Sequence, residues 1–352
     1  MQIILPAGRQ VGKRNDPQGR GPIAAASHLR YKPGQSALSQ RAGFIHNAPR
    51  WAAGAVCQEM SVTDAQIQNS LVLCAIAGFA LMEWVTRRYQ ATVHATRDDT
   101  WLELLMFVSL VAITQPVAML GTAALGHAWF GAYQGLIADW PWWGMVLLLL
   151  LVDDLTQYLW HRLSHTPLLW PLHRAHHSAQ YMSIRVTYRN NFFYYLLMPG
   201  LWLAGGLLFM GLSGRVYALY VVVKLLVIMG AHCAWRWDEP LYKIPALRPL
   251  MWVLERTIST PATHWAHHAI TNADGVGHYK GNFGNLLFFW DVLFGTAHIT
   301  RRYPPAVGLR DDQLFGPERW YHQMFYPLLQ SHRPHSALRR GGEMYDEDKV
   351  PR

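Results

Sequence analysis

The run MVLLLLLVDDLTQYLWHRLSH, residues 145–165, decides how this chain is read. Its first eight residues, 145–152, are unbroken by any polar group. With the residues around them they make an apolar stretch, Pro141–Trp160, of about the ~20 residues a membrane span needs. Asp153 and Asp154 sit inside that stretch, where a charge is expensive and marks function by default. The run ends on His161 and His165, whose i, i+4 spacing turns two imidazoles to one helix face. Asp154, Gln157 and Tyr158 fall on the same stripe.

Working outward, four more apolar stretches appear: Ser70–Thr86, interrupted by Glu83; Trp101–Phe130; Phe192–Leu212; and Val216–Trp235. The last two are separated by Ser213-Gly214-Arg215, which predicts a helical hairpin. Hydrophobic residues make up 51% of the chain and charged residues 15%, against roughly 25% charged in soluble proteins. The expected fold is therefore all-α: a multi-pass membrane bundle of four or five spans with a histidine-rich helical cap on the cytoplasmic side. Phe283–Phe294 is apolar but too short to cross, which suits the membrane interface. After Thr300 the chain turns polar and Pro-rich, with a short interfacial helix expected near Trp320–Leu329.

Residues 1–59 are rich in Gly, Pro, Arg, Ser and Ala and are read as disordered, or as an extension ahead of a true start at Met60. Residues 60–330 form the membrane domain and 331–352 a polar tail. The net charge is +9, of which residues 1–59 supply +6. The basic balance is thus mostly an N-terminal property, and no nucleic-acid partner is expected. Arg87, Arg88 and Arg97 follow the first span, and Arg162, Arg174, Arg185 and Arg189 follow the third. The positive-inside rule puts these links, and the histidines with them, in the cytoplasm. The bacterial inner membrane is expected ahead of the endoplasmic reticulum.

Three cysteines without a CxxC pair exclude a disulfide framework and a Cys-rich zinc site. The eighteen histidines are unevenly placed. His161 and His165 form the first cluster, His173, His176 and His177 the second, and His264, His267 and His268 the third. The spans bring all three, and His232, to one depth on one side. Eight clustered imidazoles have a charge cost and no benefit without metal; they are too many for one ion and fit two. Imidazole suits Zn, Cu, Fe and Ni alike. The zinc-protease motif HExxH is absent, because Arg162 stands where its general base would be. Soluble di-iron bundles use paired ExxH motifs, and none is present; Glu318 and His322 have the wrong spacing.

The order HxxxH, HxxHH, HxxHH resembles the fatty acid hydroxylase / sterol desaturase superfamily of membrane di-iron enzymes. Asp154, Tyr158 and His161-Arg162 look like its lead-in, and Leu169-Trp170 with His173, His176, His177 and Ser178 like its second block. Asn282-Phe283-Gly284 and the segment 290–296 look like its closing signature. Thr187-Tyr188-Arg189-Asn190-Asn191 departs from it, standing where many members have Arg-x-His before Pro. The resemblance spans roughly residues 70–330. It implies two iron ions, dioxygen as co-substrate, and hydroxylation or desaturation of an acyl, sterol or related lipid. It also implies that the eight motif histidines are ligands, with His232 as the extra one and His278 as a further candidate.

Asp154, Asn282 and Asp291 are the candidates for groups that support the chemistry. Lys224 lies in the fifth span, eight residues before His232, and Asp154 seven before His161. Both sit about 10–12 Å below the metal level at ~1.5 Å per residue. That predicts an Asp153/Asp154–Lys224 pair, or a bond from Asp154 that orients a histidine. With no nucleotide fingerprint and no iron–sulfur cysteine set, electrons must come from an external ferredoxin, or a cytochrome with its reductase. The rival reading is a histidine-rich metal transporter or metal-binding membrane protein. It expects ligands near mid-bilayer on broken helices, whereas these gather at one end.

Overall fold

The computed structural model describes residues 62–333 and 335–339. The N-terminal segment 1–59, the alternative start at Met60 and the tail beyond 339 lie outside the described residues. Among the described residues there are helices and two isolated bridges, and no strand. Five helices are long and apolar enough to cross a membrane. The first is α1, Val62–Val85. It is followed by α2, Arg97–Trp129; α3, Trp142–Ser164; α5, Phe192–Phe209; and α6, Gly214–His232. Between α3 and α5 lies α4, Trp170–His177. The fold is a membrane helical bundle, and its outer faces carry exposed Leu71, Leu81, Val111, Leu120, Leu147 and Leu219. Apolar surface of that extent is what a hydrocarbon solvent covers.

Where α2 and α5 meet, small residues let the backbones approach. A Cβ on Gly126 would meet the Phe209 ring at 2.8 Å, and one on Gly121 the Trp202 ring at 2.9 Å. Pro199 divides α5, because Met198 before it has ψ 113, outside the helical range. The expected hairpin joins α5 to α6. Its turn needs glycine at Gly211, where φ is +99 and a side chain would press on the Ala138 nitrogen at 2.9 Å.

A π-turn interrupts α3 at Leu150–Asp154. It widens the helix by a residue, and both Asp153 and Asp154 end up buried but on different neighbours. Lys224 Nζ donates to Asp153 at 2.5 Å, so the expected ion pair forms through Asp153. The alternative, Asp154 orienting a histidine, is replaced by another contact. Asp154 accepts from the Trp290 indole at 2.8 Å and from Leu287 N at 3.3 Å.

Segments 165–190 and 233–339 cap the end of the bundle where α3 and α6 stop. Glu83, which interrupts the first apolar stretch, fixes α1 to this cap. It accepts from Ser183 Oγ, Ile184 N and Ala234 N at 2.8, 3.0 and 2.7 Å. Three of the arginines counted toward orientation are internal braces. Arg174 pairs with Asp311 and Asp312 at 2.9 and 2.5 Å, Arg185 with Glu103 at 2.7 Å, and Arg189 with Asp99 at 2.5 Å. Further helices are α7, Arg248–Thr257; α8, Pro261–His267; α9, Phe289–Phe294; α10, Arg310–Phe315; and α11, Trp320–Phe325.

Phe283, Phe288 and Trp290 are buried, and Phe283 and Trp290 pack with Tyr158. The stretch expected at the interface is therefore half interior, with Val292, Leu293 and Phe294 left outward. The amphipathic α7 buries Met251 and Glu255 and exposes Leu250, Trp252 and Val253. The first residues of the expected polar tail fold back: Ser331 Oγ donates to Glu318 at 2.6 Å, and Ser336 donates to the same carboxylate.

Candidate metal centre

The last turn of α3 delivers His161 and its C-cap is His165, α4 delivers His173, His176 and His177, and α6 ends on His232. His264 and His267 lie on α8, and His268 is its C-cap. That helix starts on a capping box. Thr260 is the N-cap, Pro261 takes the first position, and the Thr263 hydroxyl accepts from Thr260 N at 3.1 Å.

These nine rings fall into two groups. His161, His165, His173, His177 and His267 form one; His176, His232, His264 and His268 form the other. Within each group the candidate ligand nitrogens lie within 4.8 Å of one another. The tenth candidate, His278, stands apart from both groups: its ring lies tilted against that of His298, 5.1 Å between centroids.

The donor set fits metal ions. Facing Nε2 atoms approach each other directly: His267 and His161 at 3.0 Å, His264 and His232 at 2.9 Å, His232 and His176 at 3.3 Å. The Nε2 atoms of His165, His173, His177 and His268 are buried with no hydrogen-bond partner. Buried polar atoms rarely stay unsatisfied, and so many aimed inward together describe a cage for cations. Burial also pushes the pKa of His165, His173, His176, His177, His264, His267 and His268 well below the ordinary value. These rings are neutral at pH 7, the form that binds metal.

Backbone carbonyls hold the other ring nitrogen. His161 Nδ1 donates to Phe283 O at 2.6 Å, His267 Nδ1 to Gly281 O at 2.6 Å, His176 Nδ1 to Arg189 O at 3.1 Å and His232 Nδ1 to Ile228 O at 2.8 Å. Such partners fix the tautomer and ring direction.

Two of the four carbonyls belong to the loop 281–284, and here Asn282 and Asp291 find their place. Asn282 adopts a left-handed φ of 56 and donates to Thr263 O at 2.9 Å and His298 O at 3.0 Å. Asp291 accepts from Phe283 N at 2.8 Å, Gly284 N at 2.6 Å and Thr296 Oγ1 at 2.6 Å. Burial raises the pKa of the Asp291 carboxyl, and those three donors offset only part of the rise. Gly281 is required at its position, since a Cβ there would lie 2.2 Å from His278 Nε2 and 2.5 Å from Thr296 O. Asp154 reaches the same region through Trp290, one residue before Asp291.

Sequence reasoning passed over Arg174 and Arg189 as parts of the site. Arg189 is fully buried and grips α4 by Ala175 O and Ser178 Oγ, both at 2.7 Å, while its own carbonyl holds His176. The signal was an arginine inside a run of aromatic and amide residues, read as a topology marker instead.

A cavity of 470 Å³ opens on His161, His173, His176 and His232. It runs between α1, α2, α3, α5 and α6, past Thr187, Asn190 and Tyr188, down to Tyr217. Thr187 and Asn190 belong to the segment that departs from the family pattern.

The fatty acid hydroxylase family profile matches residues 146–296. Alkylglycerol monooxygenase of Xenopus tropicalis is 27% identical over 162 residues, 45% of this chain and 31% of that protein. The Homo sapiens alkylglycerol monooxygenase is 26% identical over 162 residues, again 45% of this chain and 31% of the relative. Ornithine lipid hydroxylase OlsE of Rhizobium tropici is 29% identical over 238 residues, 65% of this chain and 66% of that protein. The chain thus spans about a third of the length of the alkylglycerol monooxygenases it matches. No solved structure gives a significant match. Every one of the nine gathered histidines lies between the ends of the profile match, and over that stretch the chain is similar to the fatty acid hydroxylase family.

Proposed function

We propose that this chain is an iron-dependent, oxygen-using membrane oxidoreductase that hydroxylates a lipid C–H bond. The observation that carries this is the opening of a 470 Å³ cavity, running among apolar spans, onto two groups of buried neutral imidazoles. The nine gathered histidines are the proposed ligands of two irons; His278, off both groups, is left out. Two irons, when bound, supply an oxidant strong enough for an unactivated C–H bond. The chain's own residues do the rest. Carbonyls of Phe283, Gly281, Arg189 and Ile228 orient the rings, Asp291 and Asn282 hold the loop behind them, and the apolar walls exclude water. A lipid tail enters from the bilayer and presents one carbon to the histidine end. Hydroxylation with one oxygen atom leaving as water consumes two electrons, so an external ferredoxin, or a cytochrome with its reductase, is the proposed donor.

The relatives named for alkylglycerols and ornithine lipids favour a glycerolipid or aminolipid over a sterol. We place the cap in the cytoplasm, resting on Arg87, Arg88, Arg97 and Arg162 now that three other arginines are internal. Metal analysis of purified protein tests the reading. Two irons per chain are expected. His176→Ala should lose iron from the group it shares with His232, His264 and His268. Copper or loosely held zinc in place of iron would defeat the proposal.

A further inference from the structure

An acyl chain asks only for apolar walls, yet this cavity has a charged station partway along it. Asp153 and Lys224 both line it, well away from the histidines. Asp153 lies eight residues before His161 on α3, and Lys224 eight before His232 on α6. At ~1.5 Å per residue both are about 12 Å from the metal level.

The station is held firmly. Asp153 Oδ2 accepts from Lys224 Nζ at 2.5 Å and from the Tyr220 hydroxyl at 2.8 Å. Gly200 closes the other side of the carboxylate, where an added Cβ would lie 2.8 Å from Asp153 Oδ1. Asp153 takes one of the three N–H groups that an ammonium carries. Nearby on the same wall, Gln157 faces the cavity with its Oε1 buried and without a hydrogen-bond partner among the described residues.

A bare hydrocarbon lying across these groups would strip water from an ammonium and an amide and return no hydrogen bond, which is costly in such surroundings. A free carboxylate is a poor guest as well, because Asp153 already neutralises the cation and would repel a second anion.

We infer that the Asp153–Lys224 pair, with Gln157, is a polar anchor for an uncharged hydroxyl of the lipid, its oxygen accepting from Lys224 and its O–H donating to Gln157 Oε1. Seated there, that oxygen fixes which carbon reaches the histidines, about 12 Å further on. The oxidised carbon is then several bonds from the anchored oxygen, and chain length between the two is what the cavity measures. The anchor rests on the reading of the histidine groups as the reacting end.

The test is equilibrium binding to the full chain in lipid nanodiscs, with radiolabelled hexadecan-1-ol and hexadecane as probes. These have equal chain lengths and differ by one oxygen. The alcohol should bind about tenfold more tightly, the ~1.4 kcal/mol of one hydrogen bond. In the double variant Asp153→Leu/Lys224→Met, which leaves no unpaired buried charge, the ratio should fall to about one, with hexadecane bound at least as tightly as by the parent and metal content unchanged. A wild-type ratio of one, or a double variant that keeps the wild-type ratio, overturns the anchor. Should the double variant not fold, Gly200→Ala displaces Asp153 and must lower the ratio; an unchanged ratio there also overturns it. If the ratios behave as stated but no lipid is oxidised when oxygen and a reductant are supplied, the enzymatic reading fails and the anchor stands.

Discussion

Asp291 is buried behind the histidines, and its influence on them passes through backbone. Its two oxygens collect the N–H groups of Phe283 and Gly284, and the Phe283 carbonyl in turn receives His161. Asp291→Ala strands those two N–H groups at about 1–3 kcal/mol each and frees the carbonyl that aims the ring. Loss of such a partner typically lowers metal affinity about 10–100-fold. The expected outcome is weaker iron retention in competition with a chelator, while helix content by circular dichroism persists. Gly281→Ala makes a sharper test of the same loop. The added methyl collides with His278 and Thr296 and shifts the carbonyl under His267, so iron retention should fall. Gly78→Ala is the control, since its Cβ meets nothing within 4 Å; iron content there should match the parent.

At the scale of elements, α4 is a short helix of eight residues carrying three of the gathered histidines. Two buried arginines clamp it from opposite sides: Arg174 to α10 through Asp311 and Asp312, and Arg189 to α2 through Asp99. Removing one partner of a buried pair costs about 3–5 kcal/mol, because the remaining charge loses its compensation. Arg189→Met should therefore lower the melting temperature by several degrees and release iron in parallel. A melting curve identical to the parent would mean the clamp is not structural.

This element also shows where the sequence was readable and where it was not. Spacings of three and four residues announce which histidines share a face, and apolar runs announce the spans, because both are local periodicities. The hairpin link at Ser213-Gly214-Arg215 was equally local. The carbonyls behind the rings come from residues as far as 122 positions away, and no local pattern encodes such a meeting. The π-turn at Leu150–Asp154 likewise has no residue signature, so the sequence could name an aspartate–lysine pair without settling which aspartate forms it. Charge counting likewise cannot tell that Arg174, Arg185 and Arg189 pair with carboxylates of the chain.

Across the whole molecule, the bundle and its cap converge on a set of polar nitrogens with no protein hydrogen atoms to receive. Without cations those atoms are desolvated and unsatisfied, a state that opposes folding of the cap. Ferrous iron added at 100 times its dissociation constant stabilises a one-site protein by about 2.7 kcal/mol. Melting in detergent should move upward with added iron and downward with a strong chelator, the shift being carried by cap residues 165–190 and 233–339. Hydrogen exchange localises it: slowed exchange in α4 and α8, and little change in α1, is the expected pattern.

The gathered ligands are all imidazoles, and this has an electrical consequence. Neutral rings donate electron pairs but cancel no charge, so a cation inside the cage keeps its full formal charge in surroundings that screen poorly. Each step to a higher oxidation state is then harder than in a carboxylate-lined site. An iron pair bound in such a cage would be held reduced, and a redox titration of iron-loaded protein should find the midpoint well positive of that of a glutamate-bridged iron pair.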